Sequence, residues 1–288
     1  MRTRTSTRSS WHAITPLLVA ILAAATAYAI WWIFIRTSLG QSIDSASMHG
    51  GDVHHPQITQ VLSRALNATQ LAALAVVCVL AAIVGALRRR FDLSAGAFFL
   101  VATANIAVQQ FKSHLDRPDL DGFAMPNSFP SGHTAAAASV AFVLVMVFPQ
   151  ALRGTVALIG AAYVTLVAIA TVWAAWHRPS DTIAALMIVL ACGSVVAWVT
   201  RLSRAGVHPP VPAPARLTIV PLALTAAIAT AVAVIGLAAV AVSERVLPDF
   251  VSGRYAFLTG VAGIVAAVAT TFSIWVRLIA GDPQGGKS

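Results

Sequence analysis

The sequence predicts an all-α membrane protein, a polytopic bundle of about eight transmembrane helices. Hydrophobic residues make up 58% of the 288 residues and charged residues only 10%, whereas a soluble domain carries roughly 25% charged residues. The mean hydropathy is +0.80, so a soluble fold of this length could not cover its surface with polar side chains. Eight apolar windows are each long enough to supply the ~20 residues that cross ~30 Å of hydrocarbon.

The predicted spans follow the apolar windows in chain order. They cover about 14–35, 66–87, 91–112, 133–152, 154–176, 180–199, 217–243 and 255–278. The first window is predicted to be a retained helix rather than a cleaved signal peptide. Trp31, Trp32 and Phe34 stand where a cleavage site would need small residues, and aromatic residues at a helix end are typical of the membrane interface.

Two segments between the windows are not spans. Residues 37–65 form a predicted outer loop, in which residues 57–65 could form a short interfacial helix. Residues 201–216 contain four prolines, which is typical of a stiff, extended linker. This cytoplasmic linker divides the chain into a six-span core, residues 1–200, and a final pair of spans within residues 217–288.

The net charge of +9 indicates membrane orientation rather than a nucleic-acid partner. The arginines lie between apolar runs, and no basic stripe with interleaved aromatic residues occurs. Under the positive-inside rule, the excess of Lys and Arg predicts that both termini lie in the cytoplasm, with the protein in the plasma (inner) membrane. Cys78 and Cys192 fall within apolar runs and are expected to be packing residues rather than a disulfide.

Polar residues gather at three helix ends that this topology places on the outer side. Residues 112–118 (Lys-Ser-His-Leu-Asp-Arg-Pro) leave the third span, and residues 130–133 (Pro-Ser-Gly-His) enter the fourth. Residues 177–181 (His-Arg-Pro-Ser-Asp) connect the fifth and sixth spans. If the spans form a bundle, the three clusters meet at one membrane face.

Each cluster has an ordinary structural explanation beside the functional one. The Pro-Ser-Gly-His turn offers N–H groups at a positive helix end, which suits phosphate, yet serine is also a common N-cap. His177 and Asp181 lie one helical turn apart, so the carboxylate can orient the imidazole, but such pairs also cap helices. Lys112 and Arg117 could be interfacial anchors.

Together the clusters supply what phosphoryl transfer requires. One histidine can attack phosphorus, the other can protonate the leaving oxygen, and the cations can hold the anionic oxygens. The sequence shows no carboxylate cluster for a divalent metal. We therefore predict a site without metal or cofactor, in which side chains supply the cations.

These motifs resemble the signature of the type-2 phosphatidic acid phosphatase superfamily. That signature runs Lys-x6-Arg-Pro, then Pro-Ser-Gly-His, then Ser-Arg-x5-His-x3-Asp. Residues 130–133 match the second part in full, and His177 and Asp181 match the end of the third. The resemblance covers about residues 66–200 and, with the first span, implies a six-helix core to which the last two spans are an addition.

The resemblance implies a role for each matching residue. His177 would be the nucleophile that forms a phosphohistidine, Asp181 its orienting partner, and His133 the acid that protonates the leaving alkoxide. The phosphate clamp would consist of Arg117, Ser131, the Gly132 amide and Lys112.

Two positions depart from the family pattern. The family lysine position is Gln110, and Lys112 lies only five residues before Arg117, roughly 140° around a helix, so it can contribute only if the helix ends or unwinds first. Residues 170–171 are Ala-Thr instead of Ser-Arg, so one guanidinium of the clamp is missing. Arg178 is the nearest replacement, unless it extends to lipid phosphates at the interface.

Three functions stay open at this point. The first is a lipid phosphatase acting on a phosphomonoester or pyrophosphate, and the second is a phosphotransferase that passes the phosphoryl group to another hydroxyl. The third is a non-catalytic scaffold, against which the intact His133, His177 and Asp181 argue. Phosphatidic acid, phosphatidylglycerol phosphate and polyprenyl phosphate present the same headgroup chemistry. The expected partners are this lipid phosphate and the bilayer, and no nucleic acid.

Overall fold

In the computed structural model, all regular secondary structure of the described residues is helical. The structure describes residues 5–51, 60, 64, 74–81, 83–84, 91–123, 125–203, 216–247 and 249–280. Within these ranges the helices with defined bounds are α1 (Thr5–Arg36), α2 (Ser38–His49), α3 (Phe91–His114), α4 (Gly132–Val147), α5 (Gln150–Trp173), α6 (Pro179–Ser203), α7 (Arg216–Arg245) and α8 (Gly253–Ala280). Residues 74–81 are also helical.

Six of the described helices are long and apolar enough to cross a membrane: α1, α3, α5, α6, α7 and α8. They confirm the prediction of an all-α, multi-pass membrane protein. The window at 66–87 lies largely outside the described residues. The count of eight spans therefore stays a prediction.

The fourth predicted span, 133–152, is too long. Helix α4 ends at Val147 because Pro149 follows, and Phe148 before it adopts an extended conformation with φ −65° and ψ 152°, as a residue preceding proline prefers. Its 16 residues extend about 24 Å, which is less than the ~30 Å hydrocarbon thickness.

The prediction that residues 37–65 form a loop is wrong in its first part, where α2 forms. Thr37 begins this helix as an N-cap, since its side-chain oxygen accepts a hydrogen bond from Gly40 N. Gln41, Asp44 and Ser45 are all buried, so this polar sequence is helical because its side chains find partners inside the protein. The short helix predicted at 57–65 lies almost entirely outside the described residues.

The core forms around α4, which is buried at every position from 134 to 143. Its run of small residues permits the close helix approach typical of membrane bundles. The Phe142 ring stacks on Trp275 of α8 with 4.6 Å between ring centroids, and Trp275 Nε1 donates to Phe142 O at 3.1 Å. Helix α8 therefore packs inside the bundle, while the domain boundary at the linker stays a prediction because residues 204–215 lie outside the described part.

Helix α8 also fixes the start of α6, where the third polar cluster lies. A Cβ at Gly260 would lie 2.6 Å from Pro179 Cγ, closer than two carbon atoms can approach without displacement. Glycine at 260 therefore permits α8 to pack directly against the first residue of α6.

Candidate active site

The structure brings residues of the second and third polar clusters into contact at one end of the bundle. Ser131 N donates to Asp181 O at 3.0 Å, which joins the start of α4 to the start of α6. Ser128 Oγ, in the loop before α4, donates to Asp181 Oδ2 at 2.6 Å. The ring centroids of His133 and His177 lie 6.2 Å apart, close enough for both imidazoles to contact one phosphoryl group.

His177 lies in the turn between α5 and α6 and is 4% exposed. Its backbone N–H donates to Thr171 O at 3.2 Å, so the last turn of α5 fixes the residue. His177 Nδ1 lies 3.5 Å from Asp181 Oδ2, and the same oxygen accepts from Arg178 N at 2.9 Å. A carboxylate held on the Nδ1 side leaves Nε2 as the ring nitrogen for chemistry.

The start of α4 offers an open, electrically positive position. Ser131 is fully buried, and its Oγ accepts from Thr134 N at 3.4 Å and from Thr134 Oγ1 at 3.1 Å, so its hydroxyl hydrogen is left to donate. A Cβ at Gly132 would meet nothing within 4 Å. Open space at a helix N-terminus suits an anion.

Two guanidinium groups have buried N–H donors without an acceptor in the described residues. These donors are Nη2 of Arg178 and both Nη atoms of Arg117. Burial and the neighbouring positive charge of Arg178 lower the pKa of Arg117, because two like charges repel each other. Buried, unsatisfied donors are costly, so an anion between these groups would relieve both the lost hydrogen bonds and the repulsion.

Arg178 is 1% exposed, so it is not the exposed interfacial anchor considered as an alternative. Thr171, at the position of the family arginine, is fully buried and donates Oγ1 to Ala168 O at 2.9 Å. Position 171 therefore supplies no charge, whereas Arg178, the residue after His177, has a buried guanidinium.

Lys112 lies outside the buried cluster. It is exposed in the last turn of α3, and α3 ends at His114. The helix thus ends between Lys112 and Arg117. This is what the five-residue spacing requires if both residues are to contribute to one site. Lys112 is therefore an exposed charge next to the cluster, whereas Arg117 and Arg178 have buried N–H groups.

Residues 102–205 match the family model of the PAP2 superfamily. This range contains all three polar clusters and the helices α4 to α6. Residues 102–205 belong to the PAP2 superfamily. Comparison of the chain with curated proteins and with solved structures finds no match. PAP2 proteins are in general phosphatases, so the match supports a membrane phosphatase activity.

The sequence analysis missed the contribution of α2, which lies outside the PAP2 segment. Asp44 accepts hydrogen bonds from Ser180 N at 3.1 Å and Ser180 Oγ at 2.5 Å. Ser45 Oγ donates to Asp121 Oδ2 at 2.5 Å. The i, i+3, i+4 spacing of Gln41, Asp44 and Ser45 is the signal that could have shown a helix with one polar face directed at the PAP2 site.

The cations of this cluster, Arg117 and Arg178, are side chains within residues 102–205. In the part of the chain that the structure describes, no group of three or more His, Cys, Asp or Glu is arranged to hold a metal ion. Independence from metal stays a prediction for the PAP2 site, to be tested by chelation.

Asp44 is a buried carboxyl group, 2% exposed, near the charges of Asp181 and Arg117. Burial, together with the nearby Asp181 charge, raises its pKa from 3.8 to about 7, against the opposing effect of the Ser180 hydrogen bonds and of Arg117. Asp44 therefore binds its proton more tightly in the folded than in the unfolded state. The resulting stabilisation is fully present below about pH 4 and is lost as the pH rises through about 7.

Asp44→Asn is expected to remove this pH dependence, because asparagine has the shape of the protonated acid without its ionisation. Between pH 5 and pH 9 the unchanged protein should lose about 3 kcal/mol more in free energy of unfolding than the variant, at about 1.4 kcal/mol per pH unit up to pH 7. Thermal unfolding in detergent across this range measures the difference. Asp116→Asn, at an exposed loop position, is the control, and identical pH profiles for Asp44→Asn and the unchanged protein would contradict the prediction.

Proposed function

We propose that the protein is an integral-membrane phosphatase that hydrolyses the phosphomonoester or pyrophosphate headgroup of a lipid through a phosphohistidine. The observation that carries this proposal is the set of buried guanidinium N–H groups of Arg117 and Arg178 that have no acceptor among the described residues, in the same cluster as two neighbouring histidines. This arrangement can bind an anion where a nucleophile and an acid both reach it. The PAP2 membership of residues 102–205 supports the reaction class.

In the first step His177 Nε2 attacks phosphorus. The bond between phosphorus and the leaving oxygen breaks with its electron pair, and His133 donates a proton to that oxygen. Asp181, 3.5 Å from His177 Nδ1, stabilises the positive charge that develops on the nucleophile ring.

In the second step water attacks the phosphohistidine. His133, left neutral by the first step, takes the proton of the water as the new P–O bond forms and the P–N bond breaks. The products are inorganic phosphate and a lipid alcohol or shorter phosphate, and both histidines return to their starting state.

Positioned charge and dipoles stabilise the transition state. Phosphoryl transfer spreads negative charge over three equatorial oxygens, which the guanidinium groups of Arg117 and Arg178 can hold through two N–H groups each. The hydroxyl of Ser131 and the amide of Gly132 add donors at the start of α4. Lys112 adds a charge at the rim.

The position of the site at one end of the spans fits a substrate anchored in the bilayer. The headgroup would lie among the polar clusters while the tails stay in the leaflet, which suits phosphatidic acid, phosphatidylglycerol phosphate or a polyprenyl phosphate. The distribution of arginines along the sequence supports an extracytoplasmic site in the plasma (inner) membrane.

Purified protein should release inorganic phosphate from these lipids in excess chelator at the same rate as without it. The cations of the proposed site are side chains, so no divalent ion is required. Orthovanadate should inhibit with an affinity at least ~100-fold above that of the substrate, because it adopts the five-coordinate geometry of the transition state. Loss of activity in chelator that magnesium restores would contradict metal independence. Consumption of lipid phosphate only when a second lipid alcohol is added would indicate a phosphotransferase.

A further inference from the structure

Helix α2 lies outside residues 102–205 and supplies no residue to the proposed mechanism. Three of its polar side chains are nevertheless buried, at 0 to 2% exposure: Gln41, Asp44 and Ser45. Each of them forms hydrogen bonds with an element that carries a residue of the phosphate site. Burying three polar groups is costly unless each is paired. Here the partners are Arg178 itself and the backbone of the residues that follow Arg117.

Ser45 makes the contact with Arg178. Its Oγ accepts from Arg178 Nε at 3.2 Å and donates to Asp121 Oδ2 at 2.5 Å. Because a hydroxyl has one hydrogen, donation to Asp121 directs a lone pair of Ser45 toward the guanidinium. A planar guanidinium held through Nε has its rotation restricted, and its buried Nη2 stays without an acceptor in the described residues.

Gln41 holds the loop that carries Arg117. Its Nε2 donates to Pro118 O at 2.7 Å and to Ile35 O at 2.8 Å. Its Oε1 accepts from Leu120 N at 3.1 Å. Both amide hydrogens and the amide oxygen are therefore used, two of these three bonds fixing the backbone directly after Arg117.

Asp44 completes the set by holding the start of α6. It accepts from Ser180 N and Ser180 Oγ, within the turn that carries Arg178 and Asp181. Helix α2 is thus bonded to both sides of the anion site, to the loop with one arginine and to the helix start with the other.

We propose that α2 positions the two guanidinium groups of the phosphate clamp, with Ser45 orienting Arg178 and Gln41 fixing the loop of Arg117. This inference rests on the proposed function, since it assigns α2 to the same phosphate site. Ser45 and Gln41 act through the arginines and contact no reacting atom. Removing the Ser45 hydroxyl frees the guanidinium to rotate, which should lower kcat/KM about tenfold, the effect of one lost hydrogen bond to a charged group.

A double-mutant cycle tests the role of Ser45. The kcat/KM for an aryl phosphate and the inhibition constant of orthovanadate are measured for the unchanged protein, Ser45→Ala, Arg178→Ala and the double variant. Ser45→Ala should reduce kcat/KM and weaken vanadate inhibition about tenfold when Arg178 is present. It should change neither when Arg178 is already alanine, because the hydroxyl then has no guanidinium to orient. Equal effects of Ser45→Ala in both backgrounds would overturn the proposal.

Ser47→Ala is the matched control. Ser47 lies on the same helix, is 3% exposed and donates to Ile43 O of its own helix at 2.9 Å, so its loss weakens α2 without touching the arginines. Activity unchanged in Ser47→Ala, with melting temperatures alike for both serine variants, is the expected result. Equal loss of activity in both variants would show a general weakening of α2 and overturn the proposal. If the unchanged protein is active and Ser45→Ala has the same activity, this inference alone fails. If the unchanged protein releases no phosphate and does not bind vanadate, the proposed function fails as well.

Discussion

His177→Ala is expected to abolish phosphate release, by on the order of 10⁴-fold or more, because no covalent intermediate can then form. The position of the residue makes this result specific to chemistry. His177 is held by the hydrogen bond from its backbone N–H to Thr171 O, and its side-chain Nδ1 lies 3.5 Å from Asp181 Oδ2. The substitution should therefore leave the turn between α5 and α6 in place, and the variant should melt at a temperature close to that of the unchanged protein.

His133→Ala should behave differently, because an acid matters in proportion to how poor the leaving group is. Hydrolysis of a lipid monoester should fall roughly 100-fold or more, while an aryl phosphate, whose phenolate leaves without protonation, should react at a rate close to that of the unchanged protein in the first step. The amount of phenolate released in the first turnover measures this step separately from the hydrolysis of the phosphohistidine.

His114→Ala is the control for both histidine variants. His114 is exposed at the end of α3, and its Nδ1 lies 2.9 Å from Gln110 O, away from the buried cluster. Its activity should be unchanged. Equal inactivity of His133→Ala toward lipid monoesters and in the aryl phosphate burst would show that His133 is not the acid.

The second large effect is expected at Arg178. Arg178→Ala should lower kcat/KM by about 100- to 1,000-fold, the range found when one preorganised donor to a developing charge is removed. Arg178→Lys should recover only part of this loss, since an ammonium cannot bind two phosphate oxygens as a planar guanidinium does. Turnover of the lipid and vanadate inhibition are measured for each variant beside Arg254→Ala, a control at an exposed position at the start of α8.

The double variant Arg178→Ala/Thr171→Arg tests whether Arg178 replaces the family arginine. Position 171 adjoins the nucleophile, because Thr171 O accepts from His177 N, so an arginine introduced there starts from the family position. Partial recovery of activity over Arg178→Ala is the expected result. An Arg178→Ala variant with unchanged activity would contradict the replacement. Melting temperatures of all variants separate a lost charge from a lost fold, since Arg178 is fully buried.

Local sequence was sufficient to predict the six described helices that are long and apolar enough to cross a membrane. Hydrocarbon tolerates few structures other than helices, so a window of apolar residues specifies the span without reference to its neighbours. The apolar windows gave the wrong end for α4. This helix ends at Val147, before Pro149, whereas the predicted span continued to residue 152. The windows also missed α2, because this helix is rich in polar residues and contains no apolar window.

The sequence by itself determined the fold class, the PAP2 segment and the candidate residues of the site, because short spacings such as His-x3-Asp fix which side chains share a helix turn. Only the tertiary structure decided which of these groups are buried together. The burial of Arg178, the exposure of Lys112 and the contacts of Ser45 with Arg178 and Asp121 depend on how distant helices pack. Ser45 and Arg178 are 133 positions apart in the chain. No local pattern specifies such a contact, because it forms only when the apolar faces of the bundle have brought the two helices together.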